Sequence, residues 1–426
     1  MKTFRIAIVG SGPAGFFSAL ALQNRENEQL DFRIDMFERL PTPFGLVRSG
    51  VAPDHPKIKS VSKTFDDIAA HPRFNFLGNI EIGRDIALAD LKKNYDAVVL
   101  ATGASQGKSL KIPGEELLNY WSAAEFVSWY NGHPDFATLD VDFSGERAIV
   151  IGAGNVALDV ARLLTIEADD LRTTDISNLA LKKFRESKLT EICVFARRGP
   201  ENVSFTSSEL RELEKLEGIN LAVDQENESL DERSLETAVD KQTKIKLEFF
   251  HSLADRPRKR GARTLKFFFG YAPKRIEGST RVESVVFTSD KEELAITAQL
   301  VVSAIGYEVS QSFGLDRTSQ GLVNDKGYIS ENLFVVGWAR RGSTGVIGTN
   351  KSDAAEVVDN LVGYLTRSMP KKDFEQSMLE GQSTLIDFQG WKRIDQEELA
   401  RGIEEGRNRS KVLSTQEMLE IALSKS

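Results

Sequence analysis

The chain has 426 residues, 41% hydrophobic and 28% charged, with a formal net charge of −8. That is long for one domain and comfortable for two, of ordinary globular composition, and too acidic for nucleic acid as a general partner. Its one cysteine, Cys193, excludes a CxxC redox pair, an intrachain disulfide and an iron–sulfur cluster held by this chain.

No apolar run approaches the ~20 residues of a membrane span. Met1-Lys-Thr-Phe-Arg leads straight into the first apolar run, so no signal or transit peptide is expected, and a reducing, cytoplasmic setting fits. Nothing in the pattern points to a metal. Phe4–Val9 reads as a buried strand, and Gly10-Ser-Gly12-Pro-Ala-Gly15 opens a helix over Gly12–Asn24. Glycines in this pattern let the backbone approach a pyrophosphate, and the helix N-terminus supplies partial positive charge. Phe32–Glu38 is the second strand. Glu38 ends it about 20 residues beyond the glycines, where a carboxylate binds an adenosine ribose. Pro41, Pro43, Pro53 and Pro56 then punctuate a long loop that carries His55, either a positioning group beside a cofactor or an exposed loop histidine. A helical stretch follows over Ile58–Ala70. Ala97–Gly103 is an apolar run stopped by glycine, as in a central parallel strand.

A second strand–turn–helix opens at Ala148–Ile151 with Gly152-Ala-Gly154-Asn155-Val156-Ala157. Asp159 lies inside its otherwise apolar helix, so it either faces a nicotinamide edge or bonds an Arg or His. Residues 166–188 form a charged, helical insertion. Glu191–Ala196 is the next strand, and Arg197-Arg198 follow it where a ribose-binding acid would stand. Two guanidiniums suit a 2′-phosphate, which favours NADP(H) over NAD(H). Glu209 and Glu212, three apart, share a helix face, where each either holds a cofactor group or is solvated. Residues 206–245 read as helix plus loop. Lys244–Phe250, Thr264–Gly270 and Val282–Thr288 read as an antiparallel excursion. From Arg256 to Arg275 there are eight basic residues and no acids, which is either a solvated hairpin or part of a docking surface for an acidic protein.

Leu300–Gly306 echoes Val98–Gly103, so each unit begins with a glycine-rich turn and ends in an apolar strand stopped by glycine. Leu333–Gly337 is another buried strand. Trp338–Asn350 is a glycine-rich loop in which Trp338 either flanks a flavin or packs in the core, and the peptides of Gly345, Val346 and Ile347 are candidate donors to flavin carbonyls. Ser352–Leu365 reads as a helix, and Ser414…Glu417 is a capping box before a helix to about Leu423. Two fingerprints in one chain mean two dinucleotides, with electrons passed between them.

The motifs identify a wider likeness. Val9–Gly15, Pro43-Phe-Gly-Leu-Val-Arg48, Gly50-Val-Ala-Pro-Asp-His-Pro56, Gly152–Ala161, Arg197-Arg-Gly199, Thr344–Asn350 and Gly390-Trp-Lys-Arg-Ile-Asp395 run through nearly the whole chain. It resembles the adrenodoxin reductase-type ferredoxin–NADP⁺ reductases, bacterial members of the glutathione-reductase-like flavoproteins. The resemblance implies an α/β fold of two Rossmann-like dinucleotide-binding domains with three-layer ββα and αβα character. An FAD domain over 1–104 plus 332–426 would be interrupted by an NADP domain over 105–331. It implies FAD contacts at Gly10, Gly12, Ala14, Glu38, Leu46, Ile82, Trp338, Gly345, Val346 and Ile347. For NADP it implies Gly152, Gly154, Asn155, Val156, Ala157, Arg197, Arg198, Glu209 and Gly345. His55, Asp159 and Glu212 would stand near the nicotinamide–flavin junction. The implied activity is electron transfer from NADPH through FAD to a ferredoxin, or to a flavodoxin, docking on a basic surface. The chain departs from the family between about 226 and 280, and the fused ferredoxin module of some relatives is not expected in it. A small-molecule flavin reductase, an electron-input subunit of a larger complex and a non-catalytic flavin-bound module are the competing readings.

Overall fold

The computed structural model describes residues 2–224, 240–253, 256–257, 259–310, 313–371, 379, 382 and 384–424. The chain forms two compact units. One comprises Met1–Gln106, Asn131–Pro134 and Tyr307–Ser426, the other Gly107–Tyr130 and Asp135–Gly306.

The first unit is built on a six-stranded sheet in the order Tyr328–Ser330, Leu333–Val335, Ala97–Leu100, Lys2–Val9, Leu30–Glu38, Phe74–Gly78. All neighbours are parallel except the first pair. Alternate residues of the first strand serve different cores. Phe4, Ile6 and Ile8 join one cluster, and Ala7 and Val9 the other. A strand covered on both faces has no polar side, which is why Ile6–Val9 reads as an unbroken apolar run. The helices Pro13–Gln23 and Thr349–Thr366 share the first cluster with Trp391, Ile394 and Met418 of the C-terminal helices.

The second unit has a six-stranded, all-parallel sheet in the order Tyr120–Ser122, Leu300–Ser303, Arg147–Ile151, Glu191–Ala196, Thr264–Phe269, Asn220–Val223. An antiparallel sheet of Ala272–Glu277, Ser284–Thr288 and Glu293–Thr297 packs on one face of it. The Phe195 ring stacks on Phe287 at 3.7 Å and on Phe268 at 4.4 Å, which supplies the ββα layering.

Several expectations need correction. Lys244–Phe250 is not a strand but lies in the helix Lys241–Ser252. Asp240 caps that helix by accepting from the N–H groups of Gln242 and Thr243, and Leu247 and Phe250 are its buried face. Alternation of Ile245, Leu247 and Phe249 with charged residues imitated the period of a strand. Thr264–Phe269 is a strand, but a parallel one inside the main sheet. The helix-plus-loop expected over 206–245 contains the strand Asn220–Val223, and 225–239 lie outside the described residues. Inside the glycine-rich loop, Trp338–Arg341 is a short helix.

The chain returns to the first unit at Tyr307 rather than 332. Its reason is a set of short contacts: Tyr328–Ser330 pairs with Leu333–Val335, and Phe313, Leu315 and Leu322 join the first unit's second core. Asn131–Pro134 also belongs to the first unit. The buried Lys411 ammonium donates to the Asn131 carbonyl at 3.0 Å, and Lys59 Nζ reaches Asn131 Oδ1 at 3.2 Å.

Candidate functional site

In the first unit the three glycines of the turn answer to different demands. Gly10 leaves its strand at φ +108°, and a Cβ there would lie 2.5 Å from the Ala101 carbonyl oxygen. A Cβ on Gly15 would lie 2.1 Å from the Gly10 oxygen. Packing of the chain on itself requires both. Gly12 is extended, and a Cβ there would meet nothing within 4 Å. The helix beginning beside it has no capping side chain and no acid in its first turn. An open cradle against uncapped helical N–H groups is the donor set for a pyrophosphate.

Glu38 is oriented beside this turn. Its Oε2 accepts from the Ser11 N–H at 3.1 Å and the Ser11 hydroxyl at 2.6 Å, and its Oε1 from the Leu40 N–H at 3.1 Å. A carboxylate has about four acceptor positions, so one remains on Oε1 for a hydroxyl. The Phe44–Gly45 segment crosses the turn. The Phe44 N–H donates to the Ser11 oxygen at 3.0 Å, and a Cβ on Gly45 would stand 3.1 Å from Gly12 Cα. Leu46, half-buried, begins the short helix Leu46–Ser49 just beyond.

Gly337, at φ +71°, closes against Ala14, for a Cβ on it would lie 2.5 Å from the Ala14 methyl. The buried Asp353 accepts the Gly337 N–H at 2.6 Å and pairs with Arg340 at 2.8 Å. Trp338 is half-buried, its indole N–H donating to the Thr344 oxygen at 3.1 Å. Of the three expected amide donors that follow, the Val346 N–H is taken by Thr349 Oγ1 at 3.2 Å. The Gly345 and Ile347 N–H groups have no protein acceptor among the described residues. The Ile82 side chain lies in the core with Phe37 and Leu77, so any cofactor contact falls to its backbone. His55 is largely buried rather than exposed, with Nε2 3.9 Å from Asp54 Oδ1.

The second unit repeats the construction. Gly152 has φ +149°, and a Cβ there would lie 2.3 Å from the Ala304 oxygen, whereas a Cβ on Gly154 would meet nothing within 4 Å. The buried Ala157 replaces the third glycine. The helix Asn155–Thr165 again has no capping side chain, and Val156 is half-buried in its first turn. Asn155 Oδ1 accepts the Thr206 N–H at 2.9 Å, fastening this helix to the start of Ser207–Glu214. Arg197 and Arg198 are exposed at the end of Glu191–Ala196, with no carboxylate in ion-pair distance among the described residues.

Asp159 does bond an arginine. Its Oδ1 accepts from Arg162 at 2.8 Å. Burial, then the negative fields of Glu209 and Glu212, push the Asp159 pKa well above the usual aspartate value, against the pull of Arg162. Three carboxylates and one guanidinium therefore share this part of the second unit. Glu209 is half-buried there and Glu212 exposed.

The basic run does not form one patch. Arg263 faces Glu167 at 3.9 Å, Lys266 pairs with Asp224 at 2.8 Å, Lys274 pairs with Glu293, and Arg275 with Glu277 at 2.8 Å. Arg256, Lys259 and Arg260 are exposed, and Arg258 lies outside the described residues.

One comparison separates the two kinds of glycine. Gly154→Ala is expected to leave the melting temperature of the apoprotein unchanged or slightly raised, because alanine loses less backbone entropy on folding (about 0.4–1 kcal/mol), and, if this turn receives a dinucleotide pyrophosphate, to weaken NADPH binding in a titration. Gly152→Ala lowers the melting temperature as well, since alanine at that φ and so near a carbonyl costs roughly 1–3 kcal/mol in backbone strain alone.

A family model described as pyridine nucleotide-disulphide oxidoreductase matches residues 4–192. The NADPH-ferredoxin reductase FprA of Mycobacterium tuberculosis is 42% identical over 99% of this chain and 100% of its own length. The mitochondrial NADPH:adrenodoxin oxidoreductase of Homo sapiens is 36% identical over 99% of this chain and 92% of its own. The solved structure of Mycobacterium tuberculosis FprA in complex with NADPH has a TM-score of 0.95 at 41% identity, covering 99% of this chain and 100% of that one. The disulphide half of the family description has no counterpart here. Cys193 is the one cysteine, and burial pushes its thiol up to about 12.

Proposed function

The chain belongs to the NADPH–ferredoxin reductases of the adrenodoxin reductase type, and from that premise we propose how its residues divide the work. It is an FAD-dependent oxidoreductase that takes electrons from NADPH and delivers them to a ferredoxin-type iron–sulfur protein. The discontinuous unit holds FAD, with Gly12 and the first turn of Pro13–Gln23 on the pyrophosphate and Glu38 on the ribose. The Gly345 and Ile347 N–H groups face the flavin carbonyls, with Trp338 and Leu46 beside the ring. The inserted unit holds NADPH at Gly154, Asn155 and Val156. FAD, when bound, supplies what no side chain here can: it accepts a hydride and gives up electrons one at a time.

The observation that carries this reading is the difference between the two strand ends. The turns at Gly12 and Gly154 are alike in construction, but the strand after the first ends in a carboxylate, whereas the strand Glu191–Ala196 after the second is followed by two exposed guanidiniums with no carboxylate partner among the described residues. A carboxylate suits ribose hydroxyls and repels a 2′-phosphate, whereas an arginine pair attracts one. Electrons therefore enter at the second unit, from NADPH. Asp159, Glu212 and His55 position the reacting ring, with Glu209 on a cofactor hydroxyl or the carboxamide. Hydride transfer needs no proton at these groups, so their role is orientation and charge. No described helix is long and apolar enough to cross a membrane, and the lone cysteine suits a reducing, cytoplasmic setting. A ferredoxin, or a flavodoxin, would find Arg256, Lys259 and Arg260 as the accessible part of the basic run.

The purified protein is expected to be yellow and to bleach in stopped-flow mixing at least tenfold faster with NADPH than with NADH. Reduced ferredoxin should then accumulate only when NADPH is present. A colourless protein that stays inert after refolding with FAD would sink the reading. NADPH oxidation indifferent to ferredoxin but dependent on a small acceptor would favour a small-molecule reductase.

A further inference from the structure

Glu398 belongs to neither glycine motif, yet among the described residues it is the most deeply buried acid of the first unit, with no exposed surface. It lies in the helix Phe388–Glu404. Its carboxylate takes both terminal nitrogens of Arg48, one at 2.9 Å, and also Arg409 at 2.7 Å and the Val412 N–H at 2.9 Å.

Arg48 leads from there to the first fingerprint. It sits in the short helix Leu46–Ser49, which Gly45 begins, and a Cβ on Gly45 would lie 3.1 Å from Gly12 Cα. Its guanidinium lies 5.3 Å from the centre of the Trp391 ring, and that ring meets Phe44 edge-on at 5.6 Å. Its carbonyl accepts from Lys411 at 3.1 Å. Phe44 has φ +84°, which an aromatic residue adopts only when its surroundings impose it. The imposing contacts are the Ser11 hydrogen bond, the Phe16 ring at 5.5 Å, Trp391, and Arg48 pinned by Glu398.

We propose that Glu398 is a positioning residue for FAD: by pinning Arg48 it holds the Phe44–Ser49 segment against the Gly12 turn and so sets the width of the cradle that receives the pyrophosphate. The inference rests on the reading of the first unit as the FAD site. Glu398 itself touches no cofactor. It acts through Arg48, whose planar fork fixes both distance and orientation, as an ammonium on a flexible stem would not.

The test compares FAD binding to apoprotein, by quenching of flavin fluorescence, in the wild type, Glu398→Gln, Arg48→Lys, Arg48→Leu and Arg409→Lys. All measurements are made well below each variant's melting temperature, which is recorded alongside. Glu398→Gln and Arg48→Leu are expected to weaken FAD binding at least tenfold, with Arg48→Lys recovering part of the loss. Arg409→Lys loosens the far side of Glu398 and should lower the melting temperature while leaving FAD affinity within twofold. If every variant melts earlier but binds FAD within twofold of the wild type, the role is structural only and the inference is overturned. Should Glu398→Gln fail to fold, Arg48→Lys against Arg48→Leu decides the question alone. A wild-type chain that binds no FAD would instead overturn the functional reading itself.

Discussion

Exchanging Glu398 for glutamine lowers the melting temperature of the apoprotein by roughly 6–20 °C, since breaking one partner of a buried ion pair costs about 3–5 kcal/mol and each kcal/mol moves a domain of this size by about 2–4 °C. The side chains are nearly isosteric, so the loss is one of charge. Arg48, 11% exposed, and Arg409, 21% exposed, would face each other across a neutral amide. The same site fixes the sign of a pH effect. Burial alone would raise the Glu398 pKa, but the charge and hydrogen bonds of Arg48, then those of Arg409, outweigh it and hold the group below the usual glutamate value. An acid depressed in the folded state binds fewer protons there than in the unfolded chain. Its stabilisation is therefore present in full above about pH 4.3, the unfolded value, and is lost as pH falls through the folded one. Melting curves between pH 3 and 7 should draw together toward the acid end, where wild type and variant both carry a neutral group at this position. A constant gap across that range would contradict the charge argument.

Replacing Arg197 and Arg198 together with serine raises the KM for NADPH by at least about 100-fold and leaves that for NADH within about threefold. Hydrogen bonds to a charged group are worth about 1.5–3 kcal/mol each, and 1.4 kcal/mol is a factor of ten. Neither guanidinium has a carboxylate partner in the described structure, and both are exposed. The double variant should therefore fold as well as its parent, within about 0.5 kcal/mol. Steady-state kinetics with both cofactors make the comparison. Equal losses would show that the pair acts on something other than the 2′-phosphate.

Local motifs were readable from sequence where each carries its own geometry. Gly10 and Gly152 must adopt positive φ next to a carbonyl whatever surrounds them, and Ser414 caps its helix by accepting the Glu417 N–H three residues on. Glu38 could be placed because strand and turn lie close in sequence. Tertiary pairing was not readable. The basic run looks like a patch in one dimension, yet Arg263, Lys266, Lys274 and Arg275 are spent on acids of their own unit. Glu398 stands in Asp395-Gln-Glu-Glu398-Leu, where nothing marks it from a solvated neighbour, and its partner Arg48 is 350 residues away. Thr264–Phe269 was recognisable as a strand but not as a parallel one, because orientation is decided by the strands on either side.

The four residues Asn131–Pro134 bear on how this molecule can be divided. The chain passes between its units at 106/107, 130/131, 134/135 and 306/307, so two cuts do not release an intact half. A fragment spanning 107–306 carries away the peptide whose carbonyl receives the Lys411 ammonium. The remainder, joined end to end, keeps the bond from Lys411 to the Arg48 carbonyl but loses the one to Asn131. An expression boundary drawn from the two glycine motifs alone would separate Asn131–Pro134 from the unit it belongs to, and a working split protein needs 131–134 restored to the first unit.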